Sequence, residues 1–383
     1  MASHTIVGID ENSPLITERT TRPLKTSWIN SFLIFVPFGF LSHFLNWSDT
    51  WVFVTNFLAI IPLAKLLVFA TDDLSRRTGQ TVGALLNATF GNAIELIIGI
   101  VALFKGEIVL VQASMMGSII SNLLLVLGAC FLAGGIKYSI QEFNETTAQT
   151  NASLMTLACI ALIIPASFSV ATHHIDRNAP EVVGLSHYTA IVLLIVYVLY
   201  LLFQLKTHAY LYTTNEESER PELPLAVSVI LLAVATVIVA ACSEFLVSSI
   251  EGITESLGLP KIFVGLILLP VVGNAAESMT AISAAIENKM QLAIGIAAGS
   301  SLQIALFVTP FLVVLGWIIN QPMTLSFDLF ETILLSVSVL IMNYLIQDGK
   351  SNWLEGALLL ATYAIIAIAF YFYPADIPGT IKS

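Results

Sequence analysis

Gly91-Asn92-Ala93-Ile94-Glu95 and Gly273-Asn274-Ala275-Ala276-Glu277 are the two stretches on which the reading of this chain turns. They lie 182 positions apart, and the same offset aligns Val82-Gly83 with Val264-Gly265, Gly117-Ser118 with Gly299-Ser300, and Gly134 with Gly316. A register held this far marks an internal repeat. Both pentapeptides sit inside apolar runs, so each places a carboxylate where charge costs roughly 2.5–3.5 kcal/mol on insertion scales. Two such residues at matched positions are read as functional; one alone could be a protonated or paired structural Glu.

The chain has 383 residues, 57% hydrophobic and 11% charged, where soluble domains carry about a quarter charged. A water-soluble globule is excluded. Eleven apolar segments approach the ~20 residues that cross a bilayer: 31–46, 51–70, 81–104, 108–134, 150–171, 188–205, 223–250, 262–286, 292–319, 327–346 and 354–373. An offset of 182 that covers five spans, an odd number, turns the second copy upside down, as in the inverted repeats of secondary transporters. The expected fold is an all-α polytopic membrane protein of eleven transmembrane helices. It divides into a cytosolic tail (1–30), an extra helix (31–46), a first five-helix repeat (51–205), an acidic cytosolic linker (206–222), a second, inverted repeat (223–373) and a non-cytosolic tail (374–383).

Orientation follows from Lys and Arg in short loops. With the N-terminus cytosolic, that side receives Arg19, Arg22, Lys25, Arg76, Arg77, Lys137, Lys206, Arg220, Lys289 and Lys350. The other side receives Lys105, Arg177, Lys261 and Lys382, and Lys65 stays inside a span. The N-terminal stretch lacks the apolar core of a signal peptide. The C-terminus falls on the non-cytosolic side.

Fifteen basic against twenty-six acidic residues give a net charge of −11, which removes the basic surface that nucleic-acid binding needs. Cys130, Cys159 and Cys242 lie in apolar runs without a CxxC pair, so three buried free thiols are expected. The six histidines form no HExxH, and zinc hydrolysis is not expected. No resident cofactor is implied.

Gly91 and Gly273 permit a helix to unwind beside the carboxylates, and Asn92 and Asn274 can satisfy the backbone groups so freed. A helix broken there could present carbonyls to a cation next to Glu95 or Glu277. Further oxygens come from Gln112, Ser114, Ser118, Ser121 and Asn122 in the fourth span, and from Ser300, Ser301 and Gln303 in the ninth. Carboxylate, amide and hydroxyl donors describe a hard-cation site, for Ca²⁺ with Mn²⁺ as the alternative. Hydroxyls in spans also bond commonly to their own helix, and Gly295 with Gly299 reads as helix packing. Glu244, Glu251 and Glu255 share a helix face with Ser248, either as an acidic vestibule or as a solvated helix end. Glu216, Glu217, Glu219 and Glu222 form either a cation-attracting patch or a plain polar linker.

At these motifs the chain resembles the calcium/proton exchanger family of the cation/Ca²⁺ exchanger superfamily, and most resembles its fungal vacuolar members. The resemblance rests on Thr78-Gly79-Gln80-Thr81-Val82-Gly83, the run from Leu86 to Leu96, Gly273–Glu277, Gly299–Ala305 and Ser351–Gly356, and it extends from about Thr50 to Tyr373. It implies Ca²⁺ uptake into an acidic organelle in exchange for H⁺, with Glu95 and Glu277 central and Ser300 and Gln303 nearby. Family members commonly carry His after the second Glu; this chain has Ser278, so no pH-sensing role is carried over from that histidine. Glu11–Ile16 resembles an acidic dileucine sorting signal, in keeping with a vacuolar membrane.

The expected mechanism is alternating access around one midplane site. Two ionised glutamates carry a charge that one Ca²⁺ or two protons would cancel, and the empty charged site is penalised by desolvation and repulsion. Rivals are a Na⁺-driven or Mn²⁺-preferring exchanger of the same fold, a Ca²⁺ channel, and an intramembrane enzyme, for which no nucleophile or metal motif is evident. Oligomeric state is left open, a homo-oligomer included.

Overall fold

The computed structural model describes residues 28–78, 80–172, 179–209 and 221–374. Most of the N-terminal tail with Glu11–Ile16, the glutamates of the linker at 216, 217 and 219, Arg177, and the tail beyond 374 lie outside the described residues.

The described chain is almost wholly helical. It runs through α1 (Ile29–Phe44), α2 (Asp49–Thr78), α3 (Gln80–Phe90), α4 (Ala93–Phe104), α5 (Ile108–Lys137), α6 (Glu145–Ala171) and α7 (Pro180–Thr207). After the linker come α8 (Leu225–Ser248), α9 (Ile250–Leu257), α10 (Lys261–Gly273), α11 (Ala275–Ile286), α12 (Met290–Ile318), α13 (Leu329–Leu345) and α14 (Trp353–Tyr371). Two short strands, β1 (Gln141–Glu142) and β2 (Lys350–Ser351), pair antiparallel with Gln141 opposite Ser351.

Among the described residues seven helices are long and apolar enough to cross a bilayer, or eight if α9 and α10, bent by 119°, count as one span. Of the eleven segments expected to cross, the first, third, eighth and tenth are not single long helices here. The segments expected at 81–104 and 262–286 each break in the middle, at Gly91-Asn92 and at Asn274. The first and tenth are the shorter helices Ile29–Phe44 and Leu329–Leu345. At both breaks the asparagine leaves helical geometry, with φ/ψ of −98°/28° at Asn92 and −81°/2° at Asn274. The segments that follow, α4 and α11, are each 12 residues long.

Burial separates the centre from the rim. In α5 and α12, 72% and 61% of the spanning window is buried inside the protein, against 22% for α7 and 28% for α8 and α14. Apolar side chains such as Val198 and Ile230 therefore face outward, as lipid contact requires. Both central helices carry a π-helical turn, Ser121–Val126 in α5 and Ile304–Val308 in α12. Such widened turns in an α-helix frequently mark functional sites.

Close backbone approach fixes the packing. A Cβ on Gly117 would overlap the Leu266 carbonyl, so α10 lies flush on α5. Helix α14 meets α5 along Gly128, Gly135 and Gly356, where added Cβ atoms would run into the facing backbone or Leu359. Cys130, Cys159 and Cys242 are buried and unbridged, as expected.

At one end of the bundle Asp73 accepts hydrogen bonds from the backbone N–H groups of Glu222 (2.5 Å) and Leu223 (3.1 Å) and from the Ser228 hydroxyl (2.6 Å). Arg77 pairs with the same buried carboxylate at 3.3 Å. One side chain thus anchors the entry to α8 onto α2. Sequence reading missed this role; its one trace was the i,i+4 spacing of Asp73 and Arg77 at the end of a span.

Candidate functional site

The two breaks meet. Because the chain restarts as a helix at Ala93 and again at Ala275, Glu95 and Glu277 both fall in a first helical turn. There the positive end of the helix dipole favours an anion by about 0.3–1 kcal/mol, and up to ~2 kcal/mol when partly buried. That offsets only part of the cost of a buried charge, so a cation or protons must supply the rest.

Each carboxylate is directed at the glycine of the other break. A Cβ on Gly273 would stand 2.6 Å from Glu95 Oε1, and one on Gly91 would stand 3.5 Å from Glu277 Oε1. At Gly273 the glycine is needed for space, since a Cβ there would overlap the opposing carboxylate; at Gly91 the tight neighbour is the Asn87 carbonyl oxygen, 2.6 Å from where a Cβ would stand. Glu95 is 3% exposed, and Glu277 is half-buried. Glu95 Oε1 and Glu277 Oε2 are buried without a hydrogen-bond partner. Among the described residues no three His, Cys, Asp or Glu side chains cluster as a ligand set. A cation between these breaks therefore meets two carboxylates and neutral oxygens.

The neutral oxygens come from α5 and α12. Asn122 Nδ2 donates to Ser300 Oγ (3.0 Å), Ser300 Oγ donates to Asn92 Oδ1 (2.8 Å), and Asn92 Nδ2 donates to Gln303 Oε1 (2.5 Å). This chain ties both central helices to the first break. Its counterpart at the second break is slack: Asn274 Nδ2 reaches only the Ser118 carbonyl, at 3.3 Å. Asn274 Oδ1, Ser118 Oγ, Ser121 Oγ and Asn122 Oδ1 are buried without partners. The asymmetry is chemical, since Ser121 stands where Gln303 stands in the other half and is too short to reach. Ser278, in place of the histidine common in the resembling family, donates to the Asn274 carbonyl at 2.7 Å.

Other residues singled out in the sequence lie apart from this cluster in their bonding. Gln112 donates to the Thr324 carbonyl at 2.9 Å, in the loop before α13. Ser301 bonds back to its own helix at Ala297 (3.0 Å). Glu244 pairs with Lys105 at 2.8 Å, its side chain 49% exposed. Lys261 pairs with Glu107 and lies 4.0 Å from Glu251. The acidic face of α8 and α9 is thus partly neutralised by lysines rather than being an open row of carboxylates.

The packing around the cluster differs between the halves. Helix α10 lies close on α5, with Gly265 packed so that its Cβ would stand 2.9 Å from that of Ala113 and a Cβ on Gly117 overlapping Leu266. Gly299 on α12, the counterpart of Gly117, has no described atom within 4 Å of where a Cβ would be. Helix α3 leans on α2 instead: a Cβ on Gly83 would stand 2.5 Å from the Ser75 carbonyl. Val82 and Leu85 are left 50% and 47% exposed.

A central pair of carboxylates where two broken helices cross, walled by two π-turned helices, defines a membrane transporter of cations rather than an enzyme. The sequence model described as sodium/calcium exchanger protein matches residues 48–206 and 227–372, and the chain belongs to that family. It is 50% identical over 359 residues to a vacuolar calcium ion transporter of Schizosaccharomyces pombe, covering 93% of this chain and 87% of that one. It is 48% identical over 358 residues to a Ca²⁺/H⁺ antiporter of Aphanothece halophytica, covering 89% and 95%. Among solved structures it is similar to native YfkE, with a TM-score of 0.78 at 39% identity over 89% of this chain and 100% of that one.

Proposed function

We propose that this chain exchanges Ca²⁺ for H⁺ across a vacuolar membrane by alternating access, with Glu95 and Glu277 as the shared binding groups. The observation that carries the reading is the reciprocal crossing of the two breaks, each carboxylate lodged against the opposite glycine with a buried oxygen left for an ion. The relatives' names, vacuolar calcium ion transporter and Ca²⁺/H⁺ antiporter, support the same substrates.

The two carboxylates stand at the crossing of the breaks, each beside the other's glycine. One Ca²⁺ neutralises the pair, and so do two protons. Either loaded site loses its repulsion and can be occluded; the bare site keeps a net negative charge that resists closure. Exchange follows because the two loads compete for the same oxygens. Asn92, Asn274, Ser118, Ser121, Asn122, Ser300 and Gln303 supply neutral ligands and hold the half-helices in place. Gln112 and Glu244 act at a distance, in loop packing and at the rim.

The layout we infer is an extra helix followed by two inverted repeats, 51–205 and 223–373. The matched breaks, the matched π turns and the two segments of the family match support it. Lys105 pairs with Glu244 and Lys261 with Glu107 at one end, and Lys137 donates to the Ile286 carbonyl at the other. This agrees with a cytosolic N-terminus and a luminal C-terminus. On that orientation α3 lies on the cytosolic side of the first break and α10 on the luminal side of the second.

The test is ⁴⁵Ca²⁺ uptake into proteoliposomes with an imposed pH gradient, with Mn²⁺ and Na⁺ as competitors. Uptake should require the pH gradient, and Glu95→Gln and Glu277→Gln should each abolish it in correctly inserted protein. Near-normal uptake in either variant, or uptake driven by Na⁺ instead, overturns the reading.

A further inference from the structure

The half-helices that carry the two glutamates are fastened at opposite ends. Helix α4 is fastened at its break, where Asn92 is joined to Ser300 and Gln303. Helix α11 is slack at its break, where Asn274 reaches only the Ser118 carbonyl, and is gripped at its far end by Gln141. That side chain, 2% exposed, donates from Nε2 to the Ala285 carbonyl and to Asn288 Oδ1, both at 2.9 Å. Lys137 adds a bond to the Ile286 carbonyl at 3.2 Å. Gln141 is held in place by the β1–β2 pair, where it stands opposite Ser351, and by a 2.9 Å bond from Phe143 N–H to the Gly349 carbonyl. Its Oε1 lies against Gly134 on α5, where a Cβ would overlap it. One buried amide thus binds the end of α11 to the end of α5.

The offset of 182 finds the same grip in the other half with its donors removed. It carries Gly134 to Gly316 and Gln141 to Met323, and pairs Ala285 with Leu103 and Asn288 with Gly106. The backbone is the same in both: Asn288 and Gly106 close α11 and α4 at φ of 63° and 77°, and their N–H groups donate to the Ala285 and Leu103 carbonyls at 3.1 Å. A Cβ on Gly316 would stand 2.8 Å from that of Met323 and 3.7 Å from Leu103 Cδ1, so the contact is kept. Met323 is fully buried but has no proton to donate, and Ile319 stands where Lys137 stands. What reaches sideways from the end of α4 is Lys105, whose partly exposed pair with Glu244 leads to α8 and not to the loop after α12. Pairs of that kind contribute little.

We propose that Gln141 is a positioning residue for Glu277. By fixing the far end of α11 on α5, it sets, through the half-helix, how far that carboxylate reaches into the cation site. Ala285 lies eight residues beyond Glu277, about 12 Å along a helix that rises 1.5 Å per residue. A single 12-residue helix passes a shift at one end on to the other. The grip matters in this half because the break end supplies only the 3.3 Å bond from Asn274. In the first half the order is reversed: Asn92 is locked close to Glu95, so an apolar far end suffices.

The inference rests on the cation-exchange reading above, and the test separates the two. Gln141→Met installs the residue of the other half, unbranched and of similar length. It leaves the Ala285 carbonyl its bond from Asn288 N–H, so the protein should fold. Hydrogen–deuterium exchange of the full chain in detergent should rise across 275–286 and stay as it was across 93–104. In proteoliposomes the apparent KM for Ca²⁺ should rise about three- to tenfold, the range of one neutral hydrogen bond, with Vmax unchanged. Gln141→Asn, one methylene too short to reach the carbonyl, should behave alike, and Met323→Leu should move neither readout. Unchanged exchange across 275–286 refutes the grip. Raised exchange with an unshifted KM in both Gln141 variants, or an equal KM shift in Met323→Leu, overturns the positioning role. Glu277→Gln runs alongside: if that variant still transports, the exchange reading fails, whereas abolished uptake with an unshifted Gln141→Met refutes only the role of Gln141.

Discussion

Ser300 Oγ donates to Asn92 Oδ1 at 2.8 Å, joining the amide at the first helix break to a hydroxyl 208 residues later in the chain. Ser300 is also the acceptor for Asn122 at 3.0 Å, so it is the middle of a chain of donors. Ser300→Ala should strand a buried amide at either side, costing about 1–3 kcal/mol per unsatisfied group. Thermal unfolding in detergent should report the loss, and Ca²⁺ uptake should fall well below wild type even where the protein inserts.

Gly273→Ala places a methyl group 2.6 Å from Glu95 Oε1, and the carboxylate must move or the two breaks must part. Gly91→Ala meets Glu277 Oε1 at 3.5 Å, an ordinary contact, but its methyl stands 2.6 Å from the Asn87 backbone carbonyl oxygen. Both variants should lose uptake, Gly273→Ala by displacing the Glu95 carboxylate and Gly91→Ala by disturbing the backbone of the first break. Wild-type uptake in Gly273→Ala would contradict the crossed arrangement.

Asp73→Ala removes the acceptor for two backbone N–H groups and the Ser228 hydroxyl. A loss of at least about 1–3 kcal/mol is expected for the donors left without a partner. The apparent KM for Ca²⁺ should stay near wild type, because none of these groups belongs to the central cluster. Thermal unfolding measured beside uptake distinguishes the two effects.

Glu244→Gln tests the rim. The Lys105–Glu244 pair is half-exposed, and pairs of that kind contribute about 0–1 kcal/mol. Uptake at physiological salt should change less than about threefold, and any change should shrink further as salt screens the surface. A large loss would restore Glu244 to the ion path.

The pentapeptides were legible because they combine a costly residue with a reason for it: a carboxylate in an apolar run, preceded by glycine and asparagine. From them followed the breaks, the central helices and the family. Hydropathy alone does not separate a broken span from a straight one, because it sums over both alike; 81–104 and 262–286 read as spans, and only the Gly-Asn pairs within them point to the breaks. Gln112 and Glu244 were oxygen donors in plausible segments, but their partners, Thr324 and Lys105, sit more than a hundred residues away.

The unequal surroundings of Gly117 and Gly299 carry a consequence for motion. One is pressed against a neighbouring half-helix and the other has no described atom within 4 Å of where a Cβ would stand, though the 182-residue offset makes them counterparts. On the alternating-access reading proposed above, the opposite conformation would need no new surface: α3 would swing off Ser75 and seat on Gly299, while α10 lifted from Gly117. The protein would act as a two-position latch with a single catch engaged at a time, and the residue that frees one door would be the twin of the residue that shuts the other.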